Sequence, residues 1–520
     1  MKKVALLSNV NIDPLKNHLQ KNDSYELYLG GYNQWQPELL NPSSGLYDFQ
    51  PDFVFIYLNA EELKTDITEL FSCIDVFGDN KSGIQFIISD LSFPPFRVTT
   101  YLNQNKNSDF EINNQLKQYA ASKDNVFLFD FNRLISYHGY NLLFDDKYWY
   151  LGKIKFSNFG FKVLANELII VLDCLLGKIK KVLILDLDNT LWGGIASEDG
   201  WQNLQISEEG VGKIYADFQR NIKLLSRNGI ILALCSKNNE NDAREVFEKN
   251  TNMQLQWDEF TIRLINWNQK SENILRIAST LELGTDSMVF IDDNPVEREL
   301  AKQSIPELTV PEFPKDISSL NRWFIIEVIY PYFSKKSITV EDADKSNQYK
   351  RKIERDKTKL KLNYDDFILQ LHIKLTVNYA DSNSCQRIAQ LTQKTNQFNL
   401  SVKRYTDVEI IERTKNPAYL VYTCEYEDKF GNEGIIGCAI VHINNQTSTL
   451  DSFILSCRVL GRKVESSFLD IIINELNIIG IKTLEAYYSE TSRNKMVKDF
   501  LNDFGFESKD EVLYIKNIKK

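Results

Sequence analysis

The middle of the chain contains the run Val182-Leu-Ile-Leu-Asp186-Leu-Asp188-Asn-Thr190-Leu-Trp192-Gly193-Gly194, in which an apolar segment ends in two carboxylates. Short apolar segments of this kind are typical of buried strands in parallel sheets. Ligands bind at the carboxyl ends of such strands, and side chains two residues apart project to the same side. The run therefore predicts that Asp186 and Asp188 face one ligand, such as Mg²⁺ with a phosphate. The alternative interpretation is that both are turn residues that close a strand.

Three later features favour the phosphate site. A second apolar segment, residues 230–235, ends in Ser236-Lys237-Asn238, where a hydroxyl and backbone amides can cradle a phosphate. Lys270 can neutralise phosphoryl oxygens. A third segment, Met288–Ile291, ends in Asp292-Asp293, which offers further metal ligands. Together with the first run, these features predict a phosphoryl-transfer site.

This ordered set resembles the four signature motifs of the haloacid dehalogenase (HAD) superfamily. The resemblance implies that Asp186 is the nucleophile that forms an aspartyl-phosphate, and that Asp188 is the general acid and base. It implies a phosphate-binding group made of Thr190, Ser236, Lys237 and Lys270. It also implies Mg²⁺ held by Asp186, the backbone carbonyl of Asp188, Asp292 and, in support, Asp293. No histidine occurs in this part of the chain, so carboxylates must transfer the protons.

The variants within these motifs resemble one branch of the superfamily, the FkbH-like proteins of HAD subfamily IIIC. The resemblance rests on residues 186–194, 235–238, 266–270 and 292–297, and on the downstream runs 387–400 and 456–465. It implies an enzyme of polyketide biosynthesis that takes a glyceryl unit from 1,3-bisphosphoglycerate and loads it onto the phosphopantetheine thiol of an acyl carrier protein. The short spacing of the motifs also predicts a minimal cap, and therefore an open site.

The last part of the chain resembles the GNAT acyltransferase fold. Arg458-Val-Leu-Gly461-Arg462-Lys463 stands where that fold has its pyrophosphate loop, between a strand and a helix that begins near Val464. Lys463 departs from the family pattern, which has a small residue there. The resemblance implies that Arg458, Gly461, Arg462 and Lys463 bind the single phosphate of a carrier pantetheine. Cys457 beside the loop is either an acyl-accepting thiolate or a small buried residue.

The first part of the chain resembles an SGNH-hydrolase-like fold, beginning with an apolar strand that is followed by Ser8-Asn9. The family's Asp-x-x-His pattern is missing before the last helix, where Lys153, Lys155 and Phe156 stand instead. Without a base, Ser8 is not activated in the usual way. We therefore expect a non-catalytic scaffold or docking domain.

The whole chain is predicted to be an α/β multidomain protein. Its 520 residues exceed one hydrophobic core. We expect an SGNH-like α/β domain at 1–178, a Rossmann-like HAD domain at 179–338, an exposed, charged helical linker at 339–363 and an α+β GNAT-like domain at 364–520. The net charge of −10 argues against nucleic acid as a partner. We expect no membrane segment, and the seven scattered cysteines suggest free thiols in the cytoplasm.

Two other functions are compatible with these patterns. One is a HAD phosphatase that acts on a phosphosugar in polysaccharide biosynthesis, with the last domain acylating it. The other is an interaction protein with an idle HAD site, which the complete set of chemically necessary residues argues against.

Overall fold

The computed structural model describes residues 1–20, 24–63, 66–81, 83–94, 108–335, 345–359, 363–395, 397–491 and 494–518. The chain forms two compact units. The first contains Met1–Ile179 and Val328–Lys336, and the second contains Lys180–Glu327 and Ser337–Lys520. Residues 328–335 thus pack with the first unit, although the sequence predicts them in the HAD domain. Arg133, for example, stacks its guanidinium over the Tyr330 ring at 4.7 Å.

The first unit is built on a parallel five-stranded sheet of order β2-β1-β3-β4-β5. Its strands are β1 (Lys2–Ser8), β2 (Tyr25–Leu29), β3 (Phe53–Tyr57), β4 (Gln85–Ser89) and β5 (Val126–Phe129). Its helices are α1 (Asp13–Leu19), α2 (Trp35–Leu40), α3 (Gly45–Phe49), α4 (Ile67–Asn80), α5 (Ser108–Ala121), α6 (Phe131–His138), α7 (Tyr140–Leu143), α8 (Asp146–Gly152) and α9 (Asn158–Leu175). Cores lie on both faces of the sheet. The predicted parallel α/β sheet is confirmed, and the SGNH-like identity stays a prediction.

The second unit begins with a parallel four-stranded sheet of order β8-β7-β6-β9. Its strands are β6 (Val182–Leu185), β7 (Ile231–Ser236), β8 (Ile262–Ile265) and β9 (Met288–Ile291). The accompanying helices are α10 (Ala196–Asp199), α11 (Gly210–Arg227), α12 (Glu240–Lys249), α13 (Lys270–Leu281), α14 (Pro295–Ser304) and α15 (Leu320–Trp323); α16 (Tyr330–Phe333) belongs to the first unit. The edge strand β8 is not evident from the sequence, because the half-buried Arg263 interrupts its short apolar run.

The second unit also contains a seven-stranded sheet of order β10-β11-β12-β13-β14-β16-β15, antiparallel except for the pair β13 and β14. Its strands are β10 (Lys374–Tyr379), β11 (Tyr419–Asp428), β12 (Gly431–Asn444), β13 (Thr447–Leu455), β14 (Thr483–Tyr487), β15 (Glu507–Ser508) and β16 (Leu513–Asn517). Its helices are α17 (Lys345–Lys359), α18 (Tyr364–Leu371), α19 (Ser382–Lys394), α20 (Asp407–Lys415), α21 (Val464–Ile478) and α22 (Lys495–Asp503). The predicted α+β fold with a mostly antiparallel sheet is confirmed.

The helix α17 lies where an exposed linker is predicted, but it is not an exposed element. Tyr349 and Ile353 pack against the core of the four-stranded sheet. Gln348 and Arg355 are buried, and Arg355 forms a two-pronged ion pair with Asp428 of β11 (2.6 and 2.9 Å). The prediction is wrong because the charges that suggest a solvated helix are neutralised by partners far away in sequence.

Within the described residues, no helix is both long enough and apolar enough to span a bilayer. The six cysteines whose side chains are described are all free thiols, as the sequence predicts.

Candidate active site

The carboxyl edge of the four-stranded sheet brings together three carboxylates from two neighbouring strands. Asp186 follows β6, and Asp292 and Asp293 follow β9, which pairs with β6 in parallel. The backbone N–H of Asp186 donates to the Ile291 carbonyl (3.0 Å), which extends this pairing to the edge. One oxygen of each of the three carboxylates lies within 4.8 Å of the others. The structure therefore brings Asp186, Asp292 and Asp293 together in one site, as the sequence predicts.

Lys270 is the cation of this cluster. It is the first residue of α13, it is 5% exposed, and its Nζ lies 2.8 Å from Oδ2 of Asp186 and 2.6 Å from Oδ2 of Asp292. Burial favours the neutral amine, but the two carboxylates outweigh it and raise the pKa of Lys270. Lys270 is therefore a fixed positive charge in a buried site.

The cluster carries more negative than positive charge. Burial and, second, the charge of Asp186 raise the pKa of both Asp292 and Asp293. Among the described residues, Oδ1 of Asp186 is buried and has no hydrogen-bond partner. Three carboxylates beside one ammonium leave uncompensated negative charge, which is costly in a buried site. The all-oxygen donor set and its uncompensated charge fit a hard divalent cation such as Mg²⁺, as predicted.

Asp188 is held by a different set of contacts. Its Oδ1 accepts hydrogen bonds from Nε1–H of Trp192 (2.9 Å) and from the N–H of Ala196 (3.0 Å), and its Oδ2 accepts one from Nδ2 of Asn238 (2.8 Å). Burial, the largest effect, raises the pKa of Asp188, although the hydrogen bonds from Ala196 and Trp192 oppose it. A carboxyl that is raised in pKa and held in one orientation fits the predicted general acid and base.

The turn after β6 is stabilised by residues whose structural part the motif resemblance does not predict. Asn189 adopts φ +54° and accepts a hydrogen bond from the N–H of Gly194 (3.0 Å). Gly194 itself has φ +104°, a conformation that favours glycine. The hydroxyl of Thr190, whose role in phosphate binding stays a prediction, accepts a hydrogen bond from the N–H of Asp293 (3.2 Å) and donates one to Oδ1 of Asp293 (3.3 Å). Thr190 therefore joins the first motif to the last.

The three residues of the predicted phosphate-binding run, Ser236 to Asn238, lie at the end of β7 and directly after it, and their side chains have different surroundings. Ser236 is buried at the end of β7, the strand that neighbours β6. Lys237 turns its Nζ to Oε1 of Glu297 (2.6 Å), so an incoming phosphate would compete with this carboxylate. Asn238 binds Asp188, as described above. The sequence reading missed the roles of Trp192, Asn238 and Glu297, although each stands within a quoted motif.

The donor groups of the loop predicted to bind a carrier pantetheine already have partners within the protein. The N–H of Gly461 donates to Oε1 of Glu465 (2.8 Å), and Lys463 pairs with Asp365 (3.4 Å). Arg458 contacts Gln348 and Glu433, and the buried Arg462 donates to the Tyr426 hydroxyl (3.2 Å). A phosphate at this loop would have to displace these partners. The side chain of Cys457 lies outside the described part of the structure, so its role stays a prediction.

A segment of the chain also fills the space where β13 and β14 separate. The two strands pair only from Thr447 to Leu450 on β13. Beyond that point, the N–H of Leu400 donates to the Phe453 carbonyl (3.1 Å), and the Leu400 carbonyl accepts from the N–H of Ser489 (3.0 Å). Leu400 thus takes the place of a strand residue between β13 and the turn after β14.

Comparison with known proteins gives a match to a solved phosphatase-domain structure. The chain matches neither a protein-family model nor a curated protein. It resembles the N-terminal part of the protein BF1531 from Bacteroides fragilis, which contains a phosphatase domain and was solved with Mg²⁺; identity is 30% and the TM-score 0.58, over 65% of this chain and 94% of that chain. This is the ion that the sequence predicts here.

Two acetyltransferases match the C-terminal part of the chain much more weakly. The ribosomal-protein-S18-alanine N-acetyltransferase from Escherichia coli is 14% identical with a TM-score of 0.22, over 28% of this chain and 96% of that chain. A GNAT-family acetyltransferase from Staphylococcus aureus Mu50 is 12% identical with a TM-score of 0.23, over 28% and 100%. Similarity this low does not establish a shared activity.

Proposed function

We propose that this chain, which belongs to the family of HAD-like phosphatase-domain proteins that includes BF1531, is a Mg²⁺-dependent phosphatase with Asp186 as its nucleophile. One observation carries this proposal: Lys270 binds Oδ2 of Asp186 and Oδ2 of Asp292, while Oδ1 of Asp186 stays buried without a described partner. An oxygen that is desolvated, fixed in place and free of hydrogen bonds is prepared for attack on an electrophilic phosphorus.

The residues supply the steps of a two-stage displacement. A carboxylate oxygen of Asp186 forms a bond to phosphorus as the bond to the leaving oxygen breaks, and Asp188 gives its proton to that oxygen. In the second stage Asp188 takes a proton from water, the water oxygen bonds to phosphorus, and the bond to Asp186 breaks. Lys270 balances the charge of the site throughout. When bound by Asp186, Asp292 and the carbonyl of Asp188, Mg²⁺ supplies further positive charge for the phosphoryl oxygens.

The finer proposal, which rests on the motif resemblance, is glyceryl loading from 1,3-bisphosphoglycerate onto an acyl carrier protein thiol. Attack of Asp186 on the acyl phosphate would discard the activated carboxyl group. In the productive order, a thiol such as that of Cys457 attacks the acyl carbon and expels phosphate as the C–S bond forms. The HAD site then hydrolyses the remaining phosphate ester, and the carrier thiol takes the glyceryl group by thioester exchange.

Mass spectrometry of candidate carrier proteins, incubated with the enzyme, Mg²⁺ and 1,3-bisphosphoglycerate, tests this proposal. We expect a glyceryl increment on the carrier. With Asp186→Asn, a phosphoglyceryl increment is expected in its place, because phosphate ester hydrolysis is lost. Loading that is unchanged in Cys457→Ala would remove that cysteine as the acyl acceptor, and no increment on any carrier would contradict glyceryl transfer.

A second candidate is a phosphatase that acts on a phosphosugar. It is favoured by the contact between Gly461 and Glu465, which places a carboxylate against the amide that a pantetheine phosphate would need. Phosphate release from sugar phosphates without any loading of a carrier would support this function over the first. Both candidates share the same Asp186 chemistry.

A further inference from the structure

The sheet of the first unit has its own group of polar side chains at the carboxyl edge. In the order β2-β1-β3-β4-β5, the chain changes direction between β1 and β3, which is where ligands bind in sheets of this type. Asn9 and Asn59 exchange hydrogen bonds at this point (3.0 and 2.7 Å). The side chain of Asn59 also accepts from the N–H groups of Glu61 and Glu62 (3.1 and 3.3 Å). It therefore fixes the short helical turn that carries both carboxylates.

A cleft of about 390 Å³ lies beside this turn. Its size is within the range of small-molecule sites, roughly 300 to 1,000 Å³. Its lining includes the carboxylates Glu61 and Glu62, the ring of Tyr140, and two further rings, Trp149 and Tyr150, from α8. The cleft thus combines acidic groups with aromatic ring surfaces, and the phosphatase chemistry uses none of these residues.

Lys155 contributes the positive charge of the cleft. It is 6% exposed, and its Nζ donates to Oε2 of Glu61 (2.5 Å) and lies 5.2 Å from the centre of the Trp149 ring. Glu62 is 3.9 Å from Lys153, and Asp146 also lines the cleft. The lining therefore offers one buried ammonium as a donor and three carboxylates as acceptors.

These charges limit the ligand. An anion would meet the carboxylates of Glu61, Glu62 and Asp146, and a cation would find Glu61 already paired with Lys155 and Glu62 close to Lys153. A neutral ligand with several hydroxyl groups can accept from Lys155 and donate to the carboxylates without leaving a charge unpaired. Its C–H faces can also pack on Trp149 and Tyr150.

We infer that this cleft binds a neutral polyhydroxylated ligand of the size of a hexopyranose. The assignment is independent of the phosphatase function, because it concerns a different sheet of the chain. Lys155 belongs to the stretch that stands in place of the Asp-x-x-His pattern in the SGNH-hydrolase resemblance, and here its ammonium donates to ligand hydroxyls.

Saturation-transfer difference NMR on the full chain tests this inference, with D-glucose, D-galactose and D-mannose as probes and with acetate and choline as charged controls. We expect signals from the ring protons of at least one of the three sugars and none from the charged compounds. Tyr150→Ala should weaken that sugar's binding about fivefold, through loss of an aromatic contact. Tyr150 is 85% exposed, so its removal does not threaten folding.

Tyr148→Ala is the matched control, because Tyr148 is exposed on the same helix and is not among the residues that line the cleft. It should leave sugar binding unchanged. Glu62→Gln, which removes one carboxylate of the lining, should weaken sugar binding. The inference is overturned if none of the three sugars binds, if acetate or choline binds in their place, or if Tyr150→Ala and Glu62→Gln bind sugar as well as the unmodified chain. Thermal melting of each variant verifies that it is folded.

Discussion

At the scale of single residues, Asn238 helps to hold the carboxyl group of Asp188 in one orientation. It supplies the single described hydrogen bond to Oδ2, and hydrogen bonds to charged groups are worth about 1.5–3 kcal/mol. We expect Asn238→Ala to lower kcat for phosphate ester hydrolysis by roughly 10- to 100-fold, with little change in KM. Steady-state kinetics of this variant and of Asn239→Ala measures the effect. Asn239 is the control, because it is a more exposed neighbour that does not touch Asp188. Equal losses in both variants would contradict the role of Asn238.

Lys270 offers a test of the metal site that does not depend on turnover. Removing a buried cation leaves Asp186 and Asp292 unpaired, which costs about 3–5 kcal/mol. We expect Lys270→Met to lower the melting temperature strongly without metal and much less with saturating Mg²⁺, because the ion restores positive charge. Thermal melts with EDTA and with Mg²⁺ measure this. A loss of stability that Mg²⁺ does not reduce would argue against a cation at these carboxylates.

At the scale of elements, the helix α17 joins the two sheets of the second unit. Its Arg355 binds Asp428 in two places and Glu433 through Nη1 (2.6 Å), all buried. We expect Arg355→Met to lower the free energy of unfolding by about 3–5 kcal/mol, because two buried carboxylates lose their partner. Arg244→Met, which breaks an exposed pair on α12, should change it by less than about 1 kcal/mol. Similar values for both would contradict a structural role for α17.

The ion pair of Arg355 with Asp428 also predicts how the effect of Arg355→Met on the free energy of unfolding depends on pH. Burial would raise the pKa of Asp428, but Arg355 outweighs it and lowers the pKa. A lowered carboxyl pKa contributes stability that is present above the unfolded value of about 3.9 and is lost as the pH falls below it. Arg355→Met should therefore differ most from the unmodified chain at neutral pH and least near pH ~3. Denaturant unfolding across this pH range measures the difference in the free energy of unfolding between the two proteins. A difference that grows on acidification would contradict the pairing of Arg355 with Asp428.

At the scale of the whole molecule, the sequence predicts what depends on local order and misses what depends on distant contacts. Asp186, Lys270 and Asp292 are predictable because each follows or begins an element whose apolar pattern is clear. The pairing of Lys237 with Glu297 is not predictable, because it joins residues on different elements. The burial of Arg355 is hidden for the same reason. Composition reports charge, and only the fold reports whether that charge is paired.

The central claim is that Asp186 becomes phosphorylated, and peptide mass spectrometry of the acid-quenched enzyme tests it most directly. After reaction with a phosphate ester and Mg²⁺, we expect one phosphoryl group on the peptide that contains Asp186, lost on treatment with hydroxylamine. Asp186→Asn should carry no phosphoryl group and show no turnover, while its circular dichroism spectrum stays unchanged. A phosphoryl group on another residue, or turnover that survives in Asp186→Asn, would contradict the claim.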